Sequence, residues 1–349
     1  MTPASPTSTA DPASDRRCVV LALSRGGCKL GQWLASALGG DFQACKGRLA
    51  AVMAGVWGRY SDIVCIMATG IVVRTIAPLL RDKYCDPAVV VCDEQGRFAI
   101  SLLSGHLGGA NDLARRVAEV TGGQAVLTTA SDVLGRTALD LWCRQWRLTP
   151  TDTGALTRAM GRLVDQGVVT VWSRYPLPPL PDDLRPVDER TQADLRIDSR
   201  TDPDGNSAVL LARALVFGIG CNRGTPAEAI GAAVEATCQQ HGLDSRAIAR
   251  LASIDLKQDE VGLLEYARQQ GLTIDFYDKE ALNRIEGVST SAAVQHATGA
   301  KGVAEPAALL SAGAGATLLV AKMKWTDVTT AVAEIADPLT QSIQGTAQS

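Results

Sequence analysis

Three runs near the start of the chain constrain its fold most: Cys18-Val-Val-Leu-Ala-Leu, Asp62-Ile-Val-Cys-Ile-Met-Ala and Ala88-Val-Val-Val-Cys. Each is apolar almost throughout, where a strand with one wet face would alternate. Such runs belong to strands covered on both faces. Helix-like stretches separate them: one opened by Gly26-Gly27 toward Leu38, one over Leu49–Trp57, and one from Thr69-Gly70 through Leu80. Buried strands alternating with helices predict a mostly parallel sheet with helices on both sides. Ala88–Cys92 and Arg97–Leu103 flank Asp93-Glu-Gln-Gly96, so these two strands read as a hairpin. Gly108-Gly109 opens a helix through Val120, and Ala125–Thr129 is one more strand.

After Ala138 the pattern weakens. Helices over Ala138–Trp146 and Thr153–Leu163 precede a strand at Val168–Trp172, and Tyr175 through Gly205 reads as an irregular polar connection. A new α/β unit opens at Ala214-Leu-Val-Phe-Gly-Ile-Gly. Thr225-Pro-Ala-Glu228 has the form of a capping box with proline at the first helical position, predicting a helix to about His241. Ser245–Leu251 reads as helix, Ala252–Leu256 as strand, Glu260–Gln270 as helix and Thr273–Tyr277 as strand. Ser291–Thr298 and Pro306–Ala312 follow as helices, Thr317–Ala321 as strand and Asp327–Ile335 as helix. The expected fold class is α/β: two mostly parallel-sheet α/β domains joined by a small middle module. The expected boundaries are a tail at 1–16, an N-terminal α/β domain at 17–137, a middle module and linker at 138–212, a C-terminal α/β domain at 213–337 and a tail at 338–349. The middle module reads equally as an extension of the first domain.

Composition narrows the function. The 349 residues carry a net charge of −3, which argues against a dedicated nucleic-acid binder. Nine scattered cysteines form no C-x-x-C, and with three histidines they give no metal-ligand spacing. They read as core fillers in a reducing, cytoplasmic setting. The Pro/Ser/Thr-rich start lacks the apolar core of a signal peptide, and no 18-residue apolar stretch predicts a membrane span.

Chemistry is expected at strand ends that meet helix N-termini. Four are glycine-rich or polar: Ala68–Gly70, Ser104–Asp112, Thr128–Asp132 and Gly218–Thr225. Gly218-x-Gly220 meets Gly224 one position late for a dinucleotide fingerprint, and no phosphate-loop motif, G-x-S-x-G or H-E-x-x-H occurs. His106 is the sharpest single residue, either a general base or acid or a structural cap. The glycines around it would let a substrate approach the backbone. Asn111 and Asp112 read as caps, and His241 and His296 as structural. Cys221, at a helix N-terminus, is either an activated thiol or a packed one. Arg74 and Arg223 are either anion partners or surface charges.

Longer motifs carry a resemblance. Met67-Ala-Thr-Gly-Ile-Val-Val-Arg-Thr-Ile-Ala-Pro-Leu-Leu80, Asp86-Pro-Ala-Val-Val-Val91 and Ile100-Ser-Leu-Leu-Ser-Gly-His-Leu-Gly-Gly-Ala-Asn111 resemble the CbiG family, the cobalt-precorrin-5A hydrolases of anaerobic cobalamin biosynthesis. Gly218-Ile-Gly-Cys-Asn-Arg-Gly-Thr225, Ile254-Asp-Leu-Lys-Gln-Asp-Glu260 and Gly302-Val-Ala-Glu-Pro-Ala-Ala-Leu309 are similar to that family's CobE-like C-terminal domain. The resemblance implies an enzyme that opens the δ-lactone of cobalt-precorrin-5A and releases acetaldehyde, giving cobalt-precorrin-5B. The alternatives are a non-enzymatic tetrapyrrole-binding or channelling protein and a nucleotide-dependent enzyme. The chemistry of that reaction, rather than the family, makes His106 the expected base, or the acid in cleavage. Gly105, Gly108 and Gly109 would supply donors and room, with Ser104 and Asn111 beside them. Thr69, Gly70 and Arg74, with Gly218, Gly220, Arg223 and Thr225, would hold substrate carboxylates. Glu305 is placed among the binding residues without a defined role. Cobalt belongs to the substrate, so no cofactor and no protein-bound metal are expected. The expected partners are the cobalt corrinoid and, transiently, neighbouring pathway enzymes.

Overall fold

The computed structural model describes residues 17–82, 85–200 and 207–340. By its contacts the chain divides into two compact units, Met1–Leu141 and Trp142–Ser349. The first contains β1 (Cys18–Ala22), α1 (Arg25–Leu38), β2 (Asp41–Ala44), α2 (Leu49–Trp57), β3 (Asp62–Ile66), α3 (Thr69–Ile76), β4 (Ala88–Cys92), β5 (Phe98–Leu103), α4 (Ala110–Thr121), β6 (Gln124–Val126) and α5 (Ala130–Leu134). Helix α6 (Leu139–Gln145) runs across the boundary.

The three apolar runs are β1, β3 and β4, buried at every position. Alternate residues serve opposite faces. Val20, Ala22, Val64 and Ile66 pack with Leu34 of α1 and Leu113 of α4, whereas Val19, Leu21, Ile63 and Cys65 pack with Met53 of α2 and Val72 of α3. Strand order is β2-β1-β3-β4-β5-β6. Strands β1 to β4 run parallel. The Asp93 turn reverses β5, which pairs antiparallel with β4, Val89 opposite Leu103 and Cys92 opposite Ala99. Strand β6 is parallel to β5. The carboxyl ends of β5 and β6 therefore emerge at the edge where β1, β3 and β4 begin.

The second unit holds two sheets. Its first comprises β7 (Thr149–Pro150), β8 (Val169–Ser173), β9 (Leu184–Pro186), β10 (Leu195–Asp198) and β11 (Ala208–Leu211), with α7 (Thr153–Gln166) packed on β8 and β11. The order is β7-β11-β10-β8-β9, parallel except for β7. The expected irregular connection over 175–205 thus contains two strands. Charge disguised β10: Arg196 and Asp198 are buried in it, and Arg174 Nε donates to Asp198 Oδ1 at 2.6 Å.

The second sheet is built from β12 (Leu215–Cys221), β13 (Ile248–Ile254), β14 (Ile274–Tyr277), β15 (Thr317–Lys324) and β16 (Val328–Glu334). Its helices are α8 (Ala227–His241), α9 (Val261–Gln270), α10 (Lys279–Asn283), α11 (Ala292–Thr298) and α12 (Ala304–Ala312). The order is β14-β13-β12-β16-β15, with β12 to β14 parallel and β15 and β16 antiparallel. Three expectations are corrected. Asp327–Ile335 is no helix but β16, where β-branched Val328, Thr330 and Val332 are buried against the sheet. Ser245–Leu251 is one 3-10 turn, Ser245–Ala247, and then β13. Thr225 forms no capping box: α8 begins at Ala227 after Pro226, and Thr225 Oγ1 donates to the Asn222 carbonyl at 2.9 Å. Glu334 ties the unit's two sheets together, accepting from Tyr175 Oη at 2.8 Å and Ser199 Oγ at 3.0 Å. Residues 1–16 and 341–349 of the expected tails lie outside the described residues, but Leu339 is buried.

Candidate active site

Strand direction decides which loops can meet. The Ser104–Gly109 loop leaves β5, and the Thr128–Asp132 segment leaves β6. Because β5 and β6 are parallel, both emerge at one edge of the sheet. There they assemble around a single carboxylate, Asp132. Its Oδ2 accepts from Thr129 Oγ1 at 2.6 Å, from Asn111 Nδ2 at 2.7 Å and from His106 Nε2 at 2.9 Å. Its Oδ1 accepts from Arg115 Nη2 at 2.6 Å. Burial pulls the Asp132 pKa up, but the hydrogen bonds from Thr129, Arg115 and His106 outweigh it and hold the carboxyl at about 2.

An ionised carboxylate only accepts hydrogen bonds, so His106 Nε2 carries the proton that it shares with Asp132. The Ser131 hydroxyl also lies 3.0 Å from Nε2. The lone pair then belongs to Nδ1, which sits 3.7 Å from Asp140 Oδ1, beyond hydrogen-bond reach. The imidazole is 14% exposed: oriented by protein on one side and open enough to meet a reactant. A histidine whose tautomer is fixed by a carboxylate, with its other nitrogen making no hydrogen bond among the described residues and a second carboxylate 3.7 Å from it, is built to accept a proton.

The glycines do not serve as expected. A Cβ at Gly108 would lie 2.2 Å from Ser104 Cβ, and one at Gly105 would lie 2.8 Å from Asn111 Oδ1. The space beside both is filled by the loop itself, not left for a ligand. Gly109 has φ of 84°, a left-handed conformation that costs a side chain strain. The backbone donors are engaged too: Gly109, Ala110 and Asn111 N–H donate to the His106, Ser104 and Gly105 carbonyls. Ser104, also left-handed at φ 59°, donates its hydroxyl to the Asp86 carbonyl. Asn111, expected as a binding residue or cap, is a buried strut that accepts from Ser101 Oγ and donates to Thr129 and Asp132.

Thr69, Gly70 and Arg74 are not brought to His106. They follow the carboxyl end of β3, and Ile66 pairs with Cys92, which pairs with Ala99 at the far end of β5. Five residues of strand, about 16 Å, separate the two edges. Sequence reading missed Asp132, Ser131, Thr129, Arg115 and Asp140 as members of the His106 cluster. The hairpin signal at Asp93–Gly96 could have found the first three, since a reversed β5 obliges its loop to meet the one after β6. On the His106 edge, a cavity of about 440 Å³ is walled by Leu107 and Gly108 of the same loop and by Arg17, Arg59 and Tyr60. The Arg17 guanidinium lies 5.0 Å over the Tyr60 ring.

In the second unit the predicted residues play structural parts. A Cβ at Gly218 would fall 1.8 Å from the Ala304 carbonyl oxygen, so this glycine admits α12 onto β12. A Cβ at Gly220 would meet Thr329 Oγ1 at 2.6 Å. Thr225 is buried. Arg223 is 65% exposed and donates to Asp259 at 2.6 Å. Glu305 is buried and accepts from Lys322 N at 2.7 Å, Ser289 Oγ at 2.9 Å and Ser289 N. Burial opposes its ionisation, yet these three donors hold its pKa below the usual range. Burial pushes the Cys221 thiol up, the opposite of activation. Among the described residues no group of three or more His, Cys, Asp and Glu side chains is placed to hold a metal ion. No helix among them is long and apolar enough to cross a membrane.

Comparison with known proteins places the chain among cobalamin-synthesis proteins. Residues 51–132 match the family profile described as cobalamin synthesis G N-terminal, CbiG_N, and residues 215–333 match cobalamin synthesis G C-terminus, CbiG_C. The chain is 34% identical over 321 residues to the cobalt-precorrin-5A hydrolase of Priestia megaterium, covering 84% of each protein. It is 35% identical over 279 residues to that of Salmonella typhimurium, covering 73% of this chain and 77% of the relative. Over 136 residues it is 34% identical to Protein CobE of a Sinorhizobium species, covering 38% of this chain and 88% of CobE.

Proposed function

The chain belongs to the CbiG family of cobalamin-synthesis proteins, and on that premise we propose that it hydrolyses cobalt-precorrin-5A. His106 Nδ1 takes a proton from water as the water adds to the δ-lactone carbonyl. Collapse breaks the acyl–oxygen bond, leaving a carboxylate on the macrocycle and a hydroxyl on the former meso carbon. Loss of the hydroxyl proton breaks the bond joining that carbon to the ring. The electron pair enters the conjugated macrocycle, and the carbon leaves with its methyl as acetaldehyde. Asp132 orients the imidazole and, with Asp140, stabilises its cationic form. Arg17 and Arg59, across the adjoining cavity, hold peripheral carboxylates of the substrate.

Cobalt enters and leaves with the substrate, and the chain adds no metal of its own. Its nine free cysteines suit a reducing compartment, the cytoplasm. The observation that carries the mechanism is the His106–Asp132 contact at 2.9 Å, which leaves Nδ1 without a hydrogen bond among the described residues, 3.7 Å from Asp140. Anaerobic incubation with cobalt-precorrin-5A tests the reading, with acetaldehyde read by coupling to alcohol dehydrogenase and the loss of NADH. One acetaldehyde per substrate is expected. Binding of the substrate by folded protein without acetaldehyde would make the chain a carrier and end the hydrolase reading.

A further inference from the structure

The two sheets of the second unit meet at a seam, and a cavity of about 250 Å³ opens there, at the amino end of β13. Six polar side chains line it: Thr149 of β7, Arg213, Ser245, Arg246, Tyr266 and Gln270. Each of them can donate a hydrogen bond, and among the described residues no carboxylate joins them in the wall. Arg213 stands in the connection between the sheets. The Ala212 N–H donates to the Asp198 carbonyl of β10 at 3.0 Å, and the Ala214 carbonyl accepts from the Ile335 N–H at 2.9 Å. The backbone is thus pinned to one sheet before Arg213 and to the other after it. Arg213 itself is exposed, and its guanidinium has no hydrogen bond or ion pair among the described residues. Arg246 is held by the buried Asp244, with Nε 3.0 Å from Oδ1 and Nη2 2.8 Å from Oδ2, which leaves Nη1 uncommitted. Tyr266 is 7% exposed, yet its hydroxyl has no hydrogen-bond partner among the described residues. Burial, then Cys238 and Glu235, hold this phenol at about 12, so it keeps a proton to donate. A buried hydroxyl without a partner lacks a hydrogen bond that a ligand can restore.

Charge and donor placement select the ligand. Asp244 offsets Arg246, so Arg213 supplies the net positive charge, and the site calls for an anion. A carboxylate has two oxygens in one plane. A phosphate group spreads three acceptor oxygens around a tetrahedron, which suits donors that stand on several walls. We propose that this seam cavity binds a phosphate group, free or carried by a small molecule, gripped by Arg213 and Arg246 with the Tyr266 hydroxyl as a further donor. The volume sets the scale: whole-ligand pockets run from about 300 to 1,000 Å³, so a phosphate with a short organic group fills this one. Lactone hydrolysis consumes and releases no phosphate, so the site stands apart from the reaction proposed above. Because Thr149 belongs to one sheet and Tyr266 packs on the other, a ligand held here also ties the sheets together and stabilises the folded unit.

The test is calorimetric titration of the full chain, at constant ionic strength and above neutral pH, with inorganic phosphate, glycerol 3-phosphate and malonate. Malonate carries the same two charges on planar carboxylates. Both phosphates are expected to bind more tightly than malonate and to raise the unfolding midpoint. Tighter binding of glycerol 3-phosphate would identify the ligand as a phosphate ester, and equal binding would identify free phosphate. Arg213→Gln should weaken either phosphate about tenfold, the worth of one charge-assisted hydrogen bond, and Tyr266→Phe about threefold. Lys29→Gln, an exposed lysine of the first unit, should change neither. Arg246→Gln leaves the buried Asp244 without its cation, so Arg213→Gln, which breaks no ion pair, is the decisive variant, with folding confirmed by thermal melting in the absence of ligand. Unchanged phosphate affinity in folded Arg213→Gln, malonate binding as tightly as phosphate, or no binding of either phosphate by the wild-type chain would each overturn the proposal. None of these readouts depends on acetaldehyde release.

Discussion

In sequence, Ser104–Asn111 and Gly218–Thr225 look like two versions of one device, a glycine-rich polar loop between a buried strand and a helix. The fold gives them different physical tasks. In the first unit, side chains from three segments converge on Asp132, and the convergence leaves one histidine nitrogen unoccupied. In the second, Gly218 admits a helix onto a strand, Thr225 caps a loop carbonyl and the nearby Glu305 satisfies three donors. Glycine spacing reports that a backbone must approach something closely. It does not report whether that something is a substrate or the protein's own next element.

The contrast breaks first at His106. His106→Ala is expected to lower kcat for acetaldehyde release by about 10²- to 10⁴-fold, the range of a general base, with the unfolding midpoint nearly unchanged. Turnover within a factor of two of wild type would remove His106 from the mechanism. Asp132→Asn should cost about 10²-fold in kcat, because an amide presents a donor where His106 Nε2–H needs an acceptor and the imidazole adopts the other tautomer. Nitrogen NMR of labelled His106 reads that tautomer, which a merely structural role for Asp132 would leave alone.

The second unit should respond in stability instead. Glu305→Ala removes the acceptor for Ser289 and Lys322, at about 1–3 kcal/mol for each donor left without a partner. Denaturant titration measures this loss; turnover per folded molecule should hold within a few-fold. Gly218→Ala forces α12 off β12, and about 1–3 kcal/mol is expected. A large kcat effect with normal stability in either variant would mean that this loop, too, meets substrate.

The smallest effect is acid. Asp132 is held at about 2 in the folded chain against an ordinary 3.8, so the unfolded chain binds its proton first as pH falls. Its contribution to stability is therefore complete above the ordinary value and is lost as pH drops through about 2. The stability gap between wild type and Asp132→Asn should narrow as pH falls below 3.8 and close toward pH 2. A gap that persists at pH 2 would mean that the carboxylate's charge is not what holds the loop.

Much of the fold is legible without coordinates. Runs such as Ala88–Cys92, apolar at every position, announce strands buried on two faces, and the Asp93–Gly96 turn announces the hairpin. The misreadings have particular causes. Strand β10 contains Arg196 and Asp198, charges that are buried but look like surface in a linear reading. Strand β16, Val-Thr-Thr-Ala-Val-Ala-Glu, lies inside a stretch that reads as helix, although its β-branched residues suit a buried strand. Of the site, His106 was visible because its motif is local. Asp132 was marked only as the end of a separate polar loop, Thr128–Asp132, and Asp140 not at all; they lie 26 and 34 residues along the chain, with no local sign of their link to His106.

The sequence by itself determined the α/β class, the family and the histidine. Those properties rest on patterns within a few residues of one another: hydrophobic period, turn chemistry and contiguous motif. Only the tertiary structure decided which loops share an edge. One reversed strand carries His106 away from Thr69, Gly70 and Arg74 and delivers it to Asp132. Strand direction and order are collective properties of a sheet, fixed by pairing between distant segments, and no local pattern encodes where their ends will meet.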